Sequence, residues 1–324
     1  MLAALAGALF TMGCGETRNL GSTAPRGLLP VDERNPVLLA NDDVYDNWQG
    51  EYSILLANGG GPKLAGIVVS TSPPWPDLDA NVAGWRDLVS AARDSGIRDV
   101  PDPIASIGAP LARPASGQFE ATTPNRSEGA RSILDASARL SLPYRPLVVV
   151  TGGRLTDVAD AYLMDPTVTE RVVVVSSLGS ATDSGGTMGA PNGEMDPWAD
   201  AIVSARFRFV QVSAFYDQLA DVPSSRLAEL PDNPLGVWIA AKQPKVWDLP
   251  QSADQVALVA VGVPSFAVAV ARVSAPAAVG PGATAGPDLH ADPNGNAWLV
   301  SQCASATASD RFWQVLLDPK TYRP

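Results

Sequence analysis

Apolar residues in this chain come in short blocks separated by stretches with a different rhythm. Val37-Leu38-Leu39-Ala40, Leu64 to Ser70, Pro103 to Ile107, Pro146 to Val150, Arg171 to Ser176 and Phe207 to Val212 are compact runs rich in Val, Ile and Leu. Such near-continuous runs predict strands covered on both faces. Between them lie segments with helical spacing. Glu51 to Asn58 is closed by Gly59-Gly60-Gly61, and in Asp79 to Ser95 the residues Val82, Trp85, Leu88, Val89 and Ala92 share one face. Ser127 to Leu140, Thr156 to Met164, Pro197 to Ala205 and Pro234 to Ala241 complete the set. Gln255 to Ser274, rich in Val and Ala, predicts further strands; residues 275–295 predict a loop, and Asp310 to Leu317 a closing helix. Strands alternating with helices predict an α/β fold: a mostly parallel central sheet with helices on both faces. No repeat and no linker interrupts residues 36–324, which read as one domain.

The beginning of the chain follows neither rhythm. Met1 to Gly13 is almost wholly apolar or small, too short to span a bilayer, which needs roughly 20 residues. It reads as the apolar core of an export signal. Thr11-Met12-Gly13-Cys14 resembles a bacterial lipobox, in which Cys14 would receive the lipid, although Thr11 stands where Leu is usual and no basic residue precedes. The expectation is an exported protein of the bacterial envelope, lipid-anchored at Cys14, with residues 1–14 as signal and 15–35 as a polar tether.

Composition narrows the chemistry. Hydrophobic residues at 46% and charged residues at 18% allow a sizeable core and exclude disorder throughout. The net charge of −11 comes without a Lys/Arg cluster interleaved with aromatics, so nucleic acid is not an expected partner. A lone histidine, His290, rules out a multi-histidine zinc centre, and two cysteines, Cys14 and Cys303, cannot build a disulfide framework.

In open α/β sheets, sites form in loops beyond the carboxyl ends of strands. The first such loop carries Asp42, Asp43, Asp46 and Glu51. Carboxylates concentrated at a strand-to-helix turn suit a hard cation such as Ca²⁺, and a carboxylate beside a metal-bound water is a competent base. A solvated acidic loop, with Asp46 or Asn47 as a helix cap, is the other reading of the same residues.

The order strand, acidic turn, helix, then LAGIVVSTS resembles the opening of the inosine–uridine-type nucleoside hydrolases, which begin with an Asp-x-Asp-Pro-Gly-x-Asp-Asp turn. The likeness continues in order through ANVAGWRDLVSAA with VPDPIASIGAPLARP, then VVVTGGRLTDVADAYLMDPTVTERVVVVSSLGS, NGEMDPWADAIVSARFRFVQVS and DNPLGVWIAA, from about 36 to 241. It implies cleavage of the N-glycosidic bond of ribonucleosides or related ribosides by a Ca²⁺-bound water that an Asp deprotonates.

The resemblance also implies site residues. Aligned from the helix, Asp46 takes the place of the base and metal ligand, and Gly50 and Glu51 fall on the closing Asp pair; aligned from the strand, Asp42 or Asp43 takes that place. Thr156 matches the Thr whose carbonyl reaches the metal, and Asn192 the sugar-binding Asn. Asn233 stands for the late metal-ligand Asp, and Asp232 for the His that protonates the leaving group. Trp48 and Trp75, in loops, are candidates to stack on a sugar or base. The alternative is a catalytically degenerate lipoprotein that uses the same fold to bind a sugar-like or nucleoside-like ligand. It is favoured by Gly50, Asn233 and Asp232, which stand where the resembled family has Asp, Asp and His.

Overall fold

The computed structural model describes residues 29–45, 48–107, 109–177, 191–212, 224–242, 253–262, 266–276 and 289–323. The signal segment, Cys14 and Asp46 lie outside them. Among the described residues no helix is long and apolar enough to cross a membrane.

The chain runs β1 (Val37–Asn41), α1 (Gln49–Asn58), β2 (Leu64–Val69), α2 (Leu78–Asp94), β3 (Pro103–Ala105), α3 (Glu128–Leu140), β4 (Leu147–Thr151), α4 (Thr156–Met164), α5 (Val168–Arg171) and β5 (Val172–Ser177). It continues with α6 (Pro191–Glu194), α7 (Pro197–Arg206), β6 (Arg208–Val212), α8 (Ser224–Leu227), α9 (Pro234–Lys242), α10 (Ala253–Gly262), β7 (Ala267–Ser274), β8 (His290–Ala291), β9 (Ala297–Cys303) and α11 (Ser305–Leu317). The strands form one sheet in the order β3-β2-β1-β4-β5-β6-β9-β7-β8, parallel except where β7 pairs with β8 and β9.

Strand alternation explains why the sheet strands read as unbroken apolar runs. Leu39, Val69, Val150, Val175 and Val210 enter the core under α1, α2, α10 and α11, while Leu38, Val68, Val149, Val174 and Phe209 enter the core under α3, α4 and α7. With both faces covered, no position along these strands favours a polar residue. Leu29 and Val31, in the stretch expected as a tether, are 1% and 5% exposed and belong to the first of these cores. The tether expected over 15–35 therefore ends earlier than its sequence suggests.

Of the stretch Gln255 to Ser274 expected as strands, Ala267–Ser274 is strand β7, but the first part belongs to the helix Ala253–Gly262. It lies between the sheet and α1 and α11, so Ala257 to Val261 are all buried. A helix apolar on every side has no helical period to read, and its Ala-Val composition mimics a buried strand. β9 was not anticipated, and α11 begins five residues before the expected Asp310, at Ser305.

Candidate active site

Strand order reverses between β1 and β4, with β2 and β3 to one side and β5 and β6 to the other. In such sheets the crevice beyond the carboxyl ends at this switch point is the ligand site. Two loops meet there: the acidic turn after β1, and Gly152-Gly153-Arg154-Leu155 after β4. A Cβ on Gly153 would stand 3.3 Å from the Asp42 nitrogen and 3.5 Å from its carboxyl carbon, so the two turns approach closely here.

The acidic turn is held by its own side chains. Asn41 Oδ1 accepts from the Asp42 N–H at 2.8 Å, and Asp42 Oδ1 accepts from the Asp43 N–H at 2.8 Å. The Asp43 carboxylate receives the N–H groups of Tyr45 and Val44. Asn41 also donates to Gln49 Oε1 at 3.0 Å, tying the start of α1 to the end of β1, and Trp85 donates its indole N–H to the Asp42 carbonyl at 3.1 Å. These bonds are the reason Asn and Asp stand here: each short side chain caps the next backbone group.

The result is two adjacent buried carboxylates, Asp42 at 2% and Asp43 at 3% exposure. Burial raises the Asp42 pKa against the opposing effect of Ser72 and the backbone N–H groups. Burial, reinforced by the Asp42 charge, pushes Asp43 up to about 6. Asp43 Oδ2 is buried without a hydrogen-bond partner.

A third carboxylate, Asp196, lies behind the same crevice. It caps α7, accepting from the Ala199 N–H at 3.0 Å, from the Leu111 N–H at 2.9 Å and from Thr156 Oγ1 at 2.7 Å. Arg154 follows Gly153 on the turn after β4; burial lowers its pKa, and the charges of Asp196 and Asp42 act against that effect. Neither Arg154 nor Asp196 stood out in the sequence as a site residue. The available signal was position alone: a basic residue in the turn after a switch-point strand, and the Asp of an Asp-Pro helix start.

The remaining expected residues separate. Asn192 is buried at the carboxyl end of β5 and donates to the Ser177 carbonyl. Trp75 is partly exposed beyond β2, whereas Trp48 is buried edge-on against Phe312 and Trp313. Glu51 lies two residues past Gln49, roughly 200° around the helix, and its charge acts on Tyr322, which follows α11. Gly50 faces α2, where a Cβ would stand 2.6 Å from Leu88 Cδ2 and 2.8 Å from Trp85 Cζ3.

Asn233 caps α9. Its Oδ1 accepts from the Gly236 N–H at 2.9 Å and from Ser95 Oγ at 3.2 Å. Ser95 ends α2, roughly 15 Å of helix beyond Trp85, at the amino edge of the sheet. Asn233 and its exposed neighbour Asp232 therefore stand at the pole opposite Asp42. The other end of α9 is the one near the turn: Trp238 stacks on Tyr45 with ring centroids 5.9 Å apart.

These placements decide whether Ca²⁺ fits. It needs 6–8 oxygens around one point. Of the expected ligands among the described residues, only Asp42 and Asp43 stand together. The Thr156 carbonyl belongs to the first turn of α4, where the helix ladder uses it, and Arg154 brings positive charge to Asp42. Among the described residues no group of three or more His, Cys, Asp or Glu is placed to hold a metal ion. The described donors do not fit a calcium site.

No protein-family model and no curated protein matches the sequence. Solved structures do match. An inosine-guanosine nucleoside hydrolase aligns with a TM-score of 0.61 at 14% identity, over 86% of this chain and 98% of its own. The inosine-uridine preferring nucleoside hydrolase of Bacillus anthracis gives 0.61 at 14%, over 87% and 99%. A plant nucleoside hydrolase gives 0.57 at 16%, over 90% and 100%. At these identities the likeness is one of architecture: the chain has the fold of the nucleoside hydrolases.

Proposed function

We propose that the switch-point crevice hydrolyses the N-glycosidic bond of ribonucleosides or related ribosides, with Asp43 as general base. The observation that carries this reading is Asp43 itself: a carboxylate at the end of a central strand, with Oδ2 buried and unpartnered, pushed up to about 6. A base poised near the working pH is what proton transfer in a transition state requires. Asp43 takes a proton from a water as its oxygen bonds to the anomeric carbon. The C–N bond breaks, and the nucleobase leaves with the electron pair and takes up a proton. Positive charge developing on the sugar is stabilised by Asp42 and Asp43. No step is assigned to Asp232.

Asp43 must be ionised to act. Its pKa is raised, so kcat/KM is expected to be low below pH 5, to climb through about pH 6 and to level off above 7. A profile flat from pH 5 to 8 removes Asp43 from the role. The broader test is release of free ribose from inosine, guanosine, adenosine, uridine and cytidine. The placement of Asp232 and Asn233 beside Ser95, away from the β1 turn, favours a second reading, a site that binds such a ligand without cleaving it. Calorimetric binding of a nucleoside with no ribose released selects that reading.

Export and lipid anchoring at Cys14 belong to the same proposal, on the strength of the apolar start and Gly13-Cys14. A Cys14→Ala chain is expected to leave the membrane fraction; if it stays there, the anchor lies elsewhere.

A further inference from the structure

Tyr45 stands two residues past Asp43, and its backbone N–H donates to the Asp43 carboxylate, whose Oδ2 is left without a partner. What holds that N–H in place lies outside the turn. The Tyr45 ring stacks on Trp238 of α9, with centroids 5.9 Å apart and planes at 22°. The indole is itself fixed, because its N–H donates to Asp87 Oδ2 on α2 at 2.9 Å. Lys242, one turn further along α9, sits 3.7 Å from the same oxygen and 5.8 Å from the Tyr45 ring centroid. From α2, Gly84 comes in flush: a Cβ there would stand 3.0 Å from Tyr45 Cε2 and 2.9 Å from Val44 Cγ1. Burial raises the Tyr45 phenol pKa, and the charges of Asp87 and Asp43 add to it, in keeping with a ring set between the two carboxylates.

We propose that Trp238 is a positioning residue for the acidic turn: stacked on Tyr45, it fixes the backbone N–H that holds the Asp43 carboxylate. The inference rests on Asp43 acting as the base, as in the proposed function. A carboxylate on a loop keeps one orientation only when the donors it accepts from are themselves immobile. The Tyr45 N–H is made immobile through its ring, which the indole and the Lys242 cation hold from α9 and the bare face at Gly84 holds from α2. Without the indole the ring is free to swing, the N–H moves with it, and Asp43 samples orientations from which it cannot take the proton of the attacking water. Trp238 acts through Tyr45 and not on the sugar, so turnover carries the effect and KM does not. α9 thus serves the crevice from its carboxyl-terminal end, whereas Asn233 caps the other.

The test compares Trp238→Leu with Trp238→Phe in the full chain. Trp238→Leu is expected to lower kcat for ribose release from inosine by about 10- to 100-fold with KM within about twofold of the wild type. Trp238→Phe, which keeps a ring to stack, is expected to restore most of that loss. A role confined to packing predicts a lower melting temperature with kcat per folded molecule unchanged, and that result overturns the proposal. So does a Trp238→Phe chain with kcat as low as that of Trp238→Leu. A second readout needs no turnover: the NMR resonance of the Asp43 carboxyl carbon, assigned by its absence in Asp43→Asn. It is expected to shift in Trp238→Leu and to hold in Trp238→Phe; a resonance unmoved in Trp238→Leu overturns the proposal. If Trp238→Leu does not fold, Gly84→Ala pushes on the same ring from α2 and is expected to shift the resonance, and an unmoved resonance there overturns the proposal equally. A wild type that releases no ribose refutes the glycosidase reading, and the Asp43 resonance then decides this one.

Discussion

Asp43→Asn is expected to lower kcat for ribose release by about 10²–10⁴-fold, the usual contribution of a general base, while making the folded chain more stable at pH 7. The two effects share one cause. Asp43 is raised to about 6, so the folded state holds a proton that the unfolded chain releases near pH 4. Stability from this group is therefore fully present below pH 4 and is lost as pH rises through 6. Two pKa units correspond to roughly 3 kcal/mol, and partial solvent screening brings the expected gain from Asn at pH 7 to about 1–2 kcal/mol. Denaturant melts of both proteins at pH 4 and pH 7 check this: the gap should be absent at pH 4 and open by pH 7. An Asn variant less stable at both pH values would show that the carboxylate is there for the turn, through its bonds from Val44 and Tyr45, and not for chemistry.

Gly50→Asp is the second large effect. The resemblance that aligns Gly50 with a carboxylate ligand makes Asp a repair. The structure makes it a lesion. A Cβ at residue 50 already meets Leu88 and Trp85 below van der Waals distance, and a carboxylate beyond it would be buried between α1 and α2. The expected loss is about 3–5 kcal/mol, with no Ca²⁺-dependent recovery. Gly50→Ala, which adds only the Cβ, should cost less than half as much. Because Trp85 also donates to the Asp42 carbonyl, displacing it should loosen the acidic turn and lower activity in proportion. Unchanged stability in Gly50→Asp would mean that the helix approach is not constrained as described.

Much of the sheet was legible because strands buried on both faces leave a signal that, among the described elements, α10 imitates. That helix is apolar all round for the same reason, and only its length separates it from a strand. The turn itself was legible too, since Asn41-Asp42-Asp43 closes an apolar run, although a solvated acidic loop was the other reading of the same residues. What stayed hidden is direction. Matching DNPLGVWIAA to a motif placed Asn233 near the metal by order along the chain, yet α9 starts at the amino edge, beside Ser95. Glu51 and Gln49 are near neighbours in sequence and face opposite ways, which a helical period shows only once one of them is anchored; Asn41 provides that anchor. Arg154 carried no signal because a single Arg in a turn is common. Its meaning comes from Asp42 and Asp196, which reach it from 112 residues upstream and 42 downstream by number in the chain.

The assay that bears most directly on the carboxyl-edge site is ribose release from inosine and uridine by the full chain in EDTA at pH 7.5, beside Asp43→Asn prepared identically. Turnover by the wild type that survives EDTA and disappears in Asp43→Asn is the expected result. No ribose from the wild type, or equal ribose from both proteins, contradicts it.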